Sequence, residues 1–182
     1  MTADAPSGPL WVFAYGSLIW SAPFEPAERR RARLRDFRRA FAMHSVRYRG
    51  TQEDPGLVLA LDFEEGAVCE GLALRVAEAE RDAVLSDLRE RELVSSAYLE
   101  KRVPLETAEG PITATAFVVD RAHGQYAGGL PLEVQADRIA RCRGEKGPND
   151  AYLLKTVDAL HEWSIPDAEL DRLAGMVRER SR

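Results

Sequence analysis

The sequence predicts an α+β fold, a sheet or small β-barrel flanked by helices, with a helical C-terminal third. Three observations lead there. Between residues 10 and 119, apolar and β-branched side chains gather into short runs and alternations bounded by turn residues. The one helical period in that part lies over residues 77–92. Beyond Pro131 the apolar residues recur at helical spacing to the end of the chain. Strands first and helices last is the pattern of segregated α+β architecture.

The 182 residues suit one domain over 10–182, preceded by a loose Ala/Pro/Ser/Gly-rich tail over 1–9. Leu10-Trp11-Val12-Phe13-Ala14-Tyr15 is an unbroken apolar and aromatic run, which reads as a strand buried on both faces. Gly16-Ser17 interrupts it before Leu18-Ile19-Trp20, and two prolines make residues 21–26 a loop. Residues 27–39 carry Arg29, Arg30, Arg31, Arg33, Arg35, Arg38 and Arg39 and read as a strand with a charged, solvated outer face and a bulge. The polar stretch 43–55 reads as a loop. Strands are expected over 56–63 and 68–76, folded into a hairpin at Glu64-Glu65-Gly66. After the helix over 77–92, strands are expected over 98–104 and 112–119, joined around Gly110. The last third predicts a helix over 132–143 stopped by Gly144, one over 150–163 capped by Asn149, and one over 168–180 capped by Asp167.

Composition narrows the function. A net charge of −5 argues against a dedicated nucleic-acid binder. No apolar stretch approaches the roughly eighteen residues that a membrane-spanning helix needs. Residues 1–9 have neither a basic region nor a long apolar core, so they do not read as a signal peptide. Cys69 and Cys142 lie far apart without metal-ligand spacing and read as reduced thiols, which points to a cytoplasmic protein. His44, His123 and His161 are too dispersed to suggest a metal site. No serine or cysteine sits in a nucleophile elbow, and 144–150 lacks the Lys-Ser/Thr ending of a phosphate loop.

The turn after the first strand has two readings. It is an ordinary tight turn, or the N–H groups of Ser17 and Leu18 form a nest for an anion such as a carboxylate, with Gly16 letting a ligand approach. Arg49 likewise is either a surface loop arginine or a fork for a substrate carboxylate. The hexapeptide Tyr15-Gly16-Ser17-Leu18-Ile19-Trp20 after an N-terminal strand resembles the signature of the ChaC-like gamma-glutamylcyclotransferases. Arg49-Gly50-Thr51 followed by Pro55-Gly56, Arg91-Glu92 with Tyr98 six residues after the glutamate, Gly124 to Leu130, and Gly144 to Leu153 resemble further pieces of that family, in order along the chain.

The resemblance implies the gamma-glutamylcyclotransferase fold and the cleavage of glutathione to 5-oxoproline and cysteinylglycine. Another gamma-glutamyl amine as substrate, or a non-catalytic regulator associated with cation transport, are the alternatives. The Leu18-Ile19-Trp20 ending implies the glutathione branch. Such a cyclotransfer requires a proton taken from the attacking amine and one returned to the leaving amine, which one carboxyl performs in turn without metal or cofactor. By resemblance Glu92 is that acid, chosen over Glu90 by its distance from Tyr98. Gly16, Ser17 and Leu18 hold the glutamyl end, Tyr15 lines the same pocket, and Arg49, Tyr98 and Tyr126 contact substrate. The C-terminal, carbonyl end of a helix disfavours a carboxylate, so the pKa of Glu92 at the end of its helix is expected to be raised. The chain has Ser96-Ala97 where the family often has glycine before the tyrosine.

Overall fold

The structure, a computed structural model, describes residues 8–93 and 95–181; all of the expected tail except residues 8 and 9 lies outside them. Its centre is a closed five-stranded barrel. Strand β1 (Trp11–Ala14) runs antiparallel to β3 (Gly56–Arg75), which pairs with β2 (Glu28–Ser45). β2 meets β4 (Tyr98–Thr107), β4 pairs with β5 (Ile112–Val119), and β5 returns parallel to β1 with Val12 opposite Thr115. Every β1 residue is buried, as a strand apolar on both faces requires. Phe13, Leu61, Leu72, Leu74, Leu105 and Phe117 are among the fully buried side chains of the core.

The hairpin expected at residues 64–66 is absent. Residues 56–75 form one strand, and both halves pair with β2, Phe63 opposite Phe37 and Val68 opposite Arg35. The polar stretch is a bulge in which Asp36 alone faces residues 64–67. Asp36 (φ 63°) and Gly66 (φ 81°) both take left-handed backbone there, and the Gly66 N–H donates to Asp36 Oδ1 at 2.8 Å. A glycine after two acids serves a bulge as readily as a hairpin turn. The length of β2 decides between them, since it continues to Ser45 through residues expected to be loop, with Met43 opposite Val58.

The arginines of β2 are only partly a solvated face. Arg33 and Arg35 pair with Glu70 and Glu106 in solvent, but the Arg39 side chain is 4% exposed. It donates to the carbonyls of Tyr15 and Glu70 and pairs with Asp167 at 2.9 Å.

Helix α1 (Arg81–Leu93) follows a 3-10 turn over Glu78–Glu80, so it starts later than the expected 77. It buries Val84 and Leu88, and Arg89 holds Glu100 of β4 through two bonds of 2.7 and 3.0 Å. Helices α2 (Leu132–Arg141), α3 (Asn149–Glu162) and α4 (Ala168–Arg180) pack on one another, burying Ile139, Leu153, Leu160 and Leu173. Gly144 does not cap α2, which ends at Cys142. Instead it lies in a two-stranded hairpin, β6 (Arg143–Gly144) and β7 (Gly147–Pro148). A Cβ on Gly144 would lie 2.4 Å from the Arg47 carbonyl oxygen, so its role is close packing against loop 46–55.

Asp167 caps α4 as expected, accepting from the Leu170 N–H at 3.1 Å. Asn149 does not cap α3, whose N-cap position belongs to Pro148. Its fully buried amide faces Leu57 of β3, accepting from the Leu57 N–H and donating to the Leu57 carbonyl, both at 2.7 Å. Asn149→Ala is expected to strand both backbone groups and to cost about 3 kcal/mol of stability, read by urea denaturation.

Candidate functional site

Where β1 ends, the chain enters a single 3-10 turn over Ser17–Ile19. The Ile19 N–H donates to the Gly16 carbonyl at 3.0 Å and the Ser21 N–H to the Ser17 carbonyl at 2.7 Å. The N–H groups of Ser17 and Leu18 precede the first bond of the turn and have no partner within it. Gly16, Ser17 and Leu18 line a cavity of about 390 Å³. A Cβ on Gly16 would meet Leu59 and the Tyr152 hydroxyl at 3.5 Å, ordinary contact, so protein packing alone does not exclude a side chain there.

Aromatic side chains build the cavity wall. The Tyr15 hydroxyl donates to the Phe117 carbonyl at 3.0 Å. Tyr98 and Tyr152 hold the two sides of Leu59: the Tyr98 hydroxyl donates to its carbonyl at 3.0 Å, and its N–H donates to the Tyr152 hydroxyl at 3.2 Å. Burial raises all three phenols, Tyr15 and Tyr98 well above the usual range and Tyr152 to about 12, so each stays protonated near neutrality.

Glu92 is, among the described residues, the one carboxylate in this wall. Helical spacing puts it one turn beyond the buried Leu88, on the inward face, whereas Glu90 is exposed. Its side chain is 17% exposed and lies 3.3 Å from Arg91 Nε. The expected rise of its pKa is present. Burial is its main cause, and the charges of Arg91 and Lys146 oppose it. Arg91 also donates from Nη2 to Ser17 Oγ at 3.0 Å and from Nη1 to the Ser21 carbonyl at 2.9 Å, tying the acid to the turn after β1.

The turn between α1 and β4 accommodates the missing glycine. Ser96 itself takes the left-handed conformation (φ 56°), its N–H donating to the Leu93 carbonyl at 3.0 Å, and Ala97 is fully buried.

Arg49 lies in the cavity wall, but its guanidinium has work within the protein. Nη1 donates to the carbonyls of Lys146 at 2.8 Å and Pro148 at 3.1 Å, and the group sits 5.5 Å from the Tyr152 ring. Arg47 and Lys146 complete a cationic side of the cavity.

Tyr126 is not brought to this cavity. Its hydroxyl donates to Asp62 Oδ2 at 2.9 Å beside Arg121, and it lines a separate depression with Arg38 and Gln135. Met43 bridges to Tyr126 across the sheet, and the neighbouring Gln125 lines the cavity instead. Sequence reasoning left out Arg47, Arg91, Lys146 and Tyr152 as site residues. Arg91, next to Glu92, and Tyr152, in the Gly144 to Leu153 motif, carried a local signal; Arg47 and Lys146 meet only through the fold. Among the described residues, no group of three or more His, Cys, Asp or Glu is placed to hold a metal ion.

The family model described as ChaC-like protein matches residues 10–180. The glutathione-specific gamma-glutamylcyclotransferase of Escherichia coli (strain K12) is 32% identical over 173 residues, covering 94% of this chain and 74% of that protein. The mouse glutathione-specific gamma-glutamylcyclotransferase 1 is 33% identical over 171 residues, 92% of this chain and 76% of its own. Gamma-glutamylcyclotransferase 2-3 of Arabidopsis thaliana is 31% identical over 176 residues, covering 93% and 88%. In structure, the chain is similar to a yeast gamma-glutamyl cyclotransferase specific to glutathione, with a TM-score of 0.86 at 22% identity, over 96% of this chain and 97% of that one. At that identity the likeness establishes the shared fold.

The left-handed Ser96 carries a measurable cost. Ser96→Gly is expected to raise stability by about 1 kcal/mol by relieving the Cβ contact of that conformation, seen as a higher denaturation midpoint with an unchanged slope.

Proposed function

The chain belongs to the ChaC-like family, and we propose that it is a glutathione-specific gamma-glutamylcyclotransferase that releases 5-oxoproline and cysteinylglycine in the cytoplasm, with residues 10–182 as one catalytic domain. The observation that carries this reading is a single, mostly buried carboxyl group, Glu92, in the wall of a cavity that the turn residues Gly16, Ser17 and Leu18 also line, together with several aromatic and cationic side chains. Its volume of about 390 Å³ is within the usual range for a small-molecule site. The Escherichia coli and mouse relatives, both glutathione-specific gamma-glutamylcyclotransferases, favour glutathione as the gamma-glutamyl donor.

In this reading the glutamyl α-carboxylate rests on the N–H groups of Ser17 and Leu18, and the apolar wall around Tyr15 and Tyr98 excludes water from the glutamyl chain. The Glu92 carboxylate takes a proton from the glutamyl ammonium. The freed amine attacks the γ-carbonyl carbon, closing the five-membered ring, and the bond from that carbon to the cysteinyl nitrogen breaks. The Glu92 carboxyl returns the proton to the leaving nitrogen; the regenerated carboxylate then takes the second proton from the ring nitrogen, which leaves a neutral lactam, and passes it to the cysteinyl amine, which departs as an ammonium. Attack within one molecule makes positioning the main source of rate. The protonated tyrosines serve as walls and do not act as bases.

The reading is tested by incubating the purified protein with reduced glutathione and, in parallel, gamma-glutamyl-alanine, and detecting products by mass spectrometry. 5-Oxoproline with cysteinylglycine, and little product from the dipeptide, is the expected result. Turnover of the dipeptide alone reassigns the substrate, and turnover of neither overturns the enzymatic reading.

Glu92→Gln is expected to lower kcat by roughly 10²–10⁴-fold while glutathione binding persists. The base must be ionised, so kcat/KM is expected to fall as pH drops through a pKa above that of an exposed glutamate. The same shift destabilises the fold. A carboxyl whose folded pKa is raised loses stability as pH climbs from its unfolded to its folded pKa, so Glu92→Gln is expected to melt higher than the parent at pH 7.

A further inference from the structure

The cationic side of the cavity carries more positive charge than a single glutamyl carboxylate requires. Arg47, Arg49, Arg91 and Lys146 line it against one carboxylate. Arg91 is paired with Glu92, Arg47 is paired with Glu145 at 2.9 Å, and the Arg49 guanidinium is bonded to the main chain of the β6–β7 hairpin. The Lys146 ammonium has no carboxylate within ion-pair distance among the described residues. It sits 4.2 Å from the centre of the Tyr48 ring. Its base is rigid: its N–H donates to the Tyr48 carbonyl at 3.0 Å, and its carbonyl accepts from Arg49 at 2.8 Å. Partial desolvation and the charges of Arg91, Arg49 and Arg47 push the pKa of this largely exposed lysine down, against the pull of Glu92, so a protonated Lys146 is held at an electrostatic cost that an incoming anion relieves.

A simple gamma-glutamyl amine brings one carboxylate and one ammonium. Glutathione adds a second carboxylate at its glycine end. We propose that Lys146 is the specificity-determining cation of this pocket and takes that second carboxylate. The assignment rests on the reading of the chain as a glutathione cyclotransferase. The glutamyl carboxylate belongs to the turn after β1, and Lys146 belongs to the hairpin wall with Arg47 and Arg49. Its charge therefore distinguishes the tripeptide from gamma-glutamyl compounds that lack the second carboxylate. Lys146 holds the substrate and takes no part in the proton transfers.

The test pairs a variant with a modified ligand. Glutathione and its glycyl ethyl ester, in which the second carboxylate is masked, are titrated by calorimetry into Glu92→Gln and into Glu92→Gln/Lys146→Met, whose slowed turnover leaves the substrate largely intact during the titration. The preference for glutathione over the ester is expected to fall roughly fivefold on loss of an exposed cation. Lys146→Arg is expected to restore it, and added salt to weaken it. An equal loss of affinity for both ligands would assign Lys146 to the glutamyl carboxylate and overturn the proposal, as would no loss for either or no binding at all. Failure of the enzymatic reading is separate: the parent protein would bind glutathione, with the Lys146 preference intact, and yet form no 5-oxoproline.

Discussion

The buried guanidinium of Arg39 is the constraint from which the site is built. Its side chain, 4% exposed, joins the Tyr15 carbonyl, the Glu70 carbonyl and the Asp167 carboxylate. Those groups belong to the end of β1, the middle of β3 and the start of α4. A buried ion pair seldom adds net stability, because desolvation offsets its attraction, but removing one partner leaves an uncompensated charge. Its consequence here is therefore geometric. The carbonyl immediately before the Gly16–Leu18 turn is held by a barrel strand, so the N–H groups that follow start from a fixed point. Asp167 serves twice, one oxygen capping α4 and the other holding Arg39, which couples the helical layer to the same spot.

A second set of contacts ties the other wall. Leu57 and Leu59 of β3 present backbone groups that are taken up by side chains, Asn149 at the first position and Tyr98 and Tyr152 at the second. Backbone groups buried in a core need partners, and polar side chains from α3 and β4 supply them here. The aromatic wall of the cavity and the docking of α3 on the barrel are thus one arrangement, and Asn149 and Tyr152, one helical turn apart on α3, belong to both.

Opposed influences meet at Glu92. Burial favours its protonated form, while Arg91 and Lys146 favour its charged form. In the proposed reaction Glu92 accepts a proton and then returns it, a role best served when neither form is strongly preferred. Arg91 couples that balance to geometry, because the guanidinium beside the acid also holds the Ser17 hydroxyl and the Ser21 carbonyl.

Much of this was legible in the chain. The unbroken apolar run into Tyr15 specifies a strand buried on both faces, and the helical period with its spacing from Leu88 to Glu92 puts one acid on the inward side. Asp167 announces a cap by local chemistry alone. Local patterns are readable because they depend on periodicity and on hydrogen bonds between near neighbours. They fail where one signal serves two geometries. Glu64-Glu65-Gly66 fits a hairpin turn and a bulge equally, and the partner strand decides. Asn149 has the residue type of a cap, yet its amide answers Leu57, far away in sequence. Arg39 looks like its solvated neighbours until the barrel closes around it. Tyr126, expected in the pocket, turns to Asp62. Lys146 becomes part of a cationic wall only when loop 46–55 meets the β6–β7 hairpin. Most of the elements, and Glu92 as the candidate acid, could be read from the chain alone. The tertiary structure decided which polar groups are buried and what charge surrounds the cavity, because desolvation and Coulomb interaction depend on distances between residues that sequence spacing does not set.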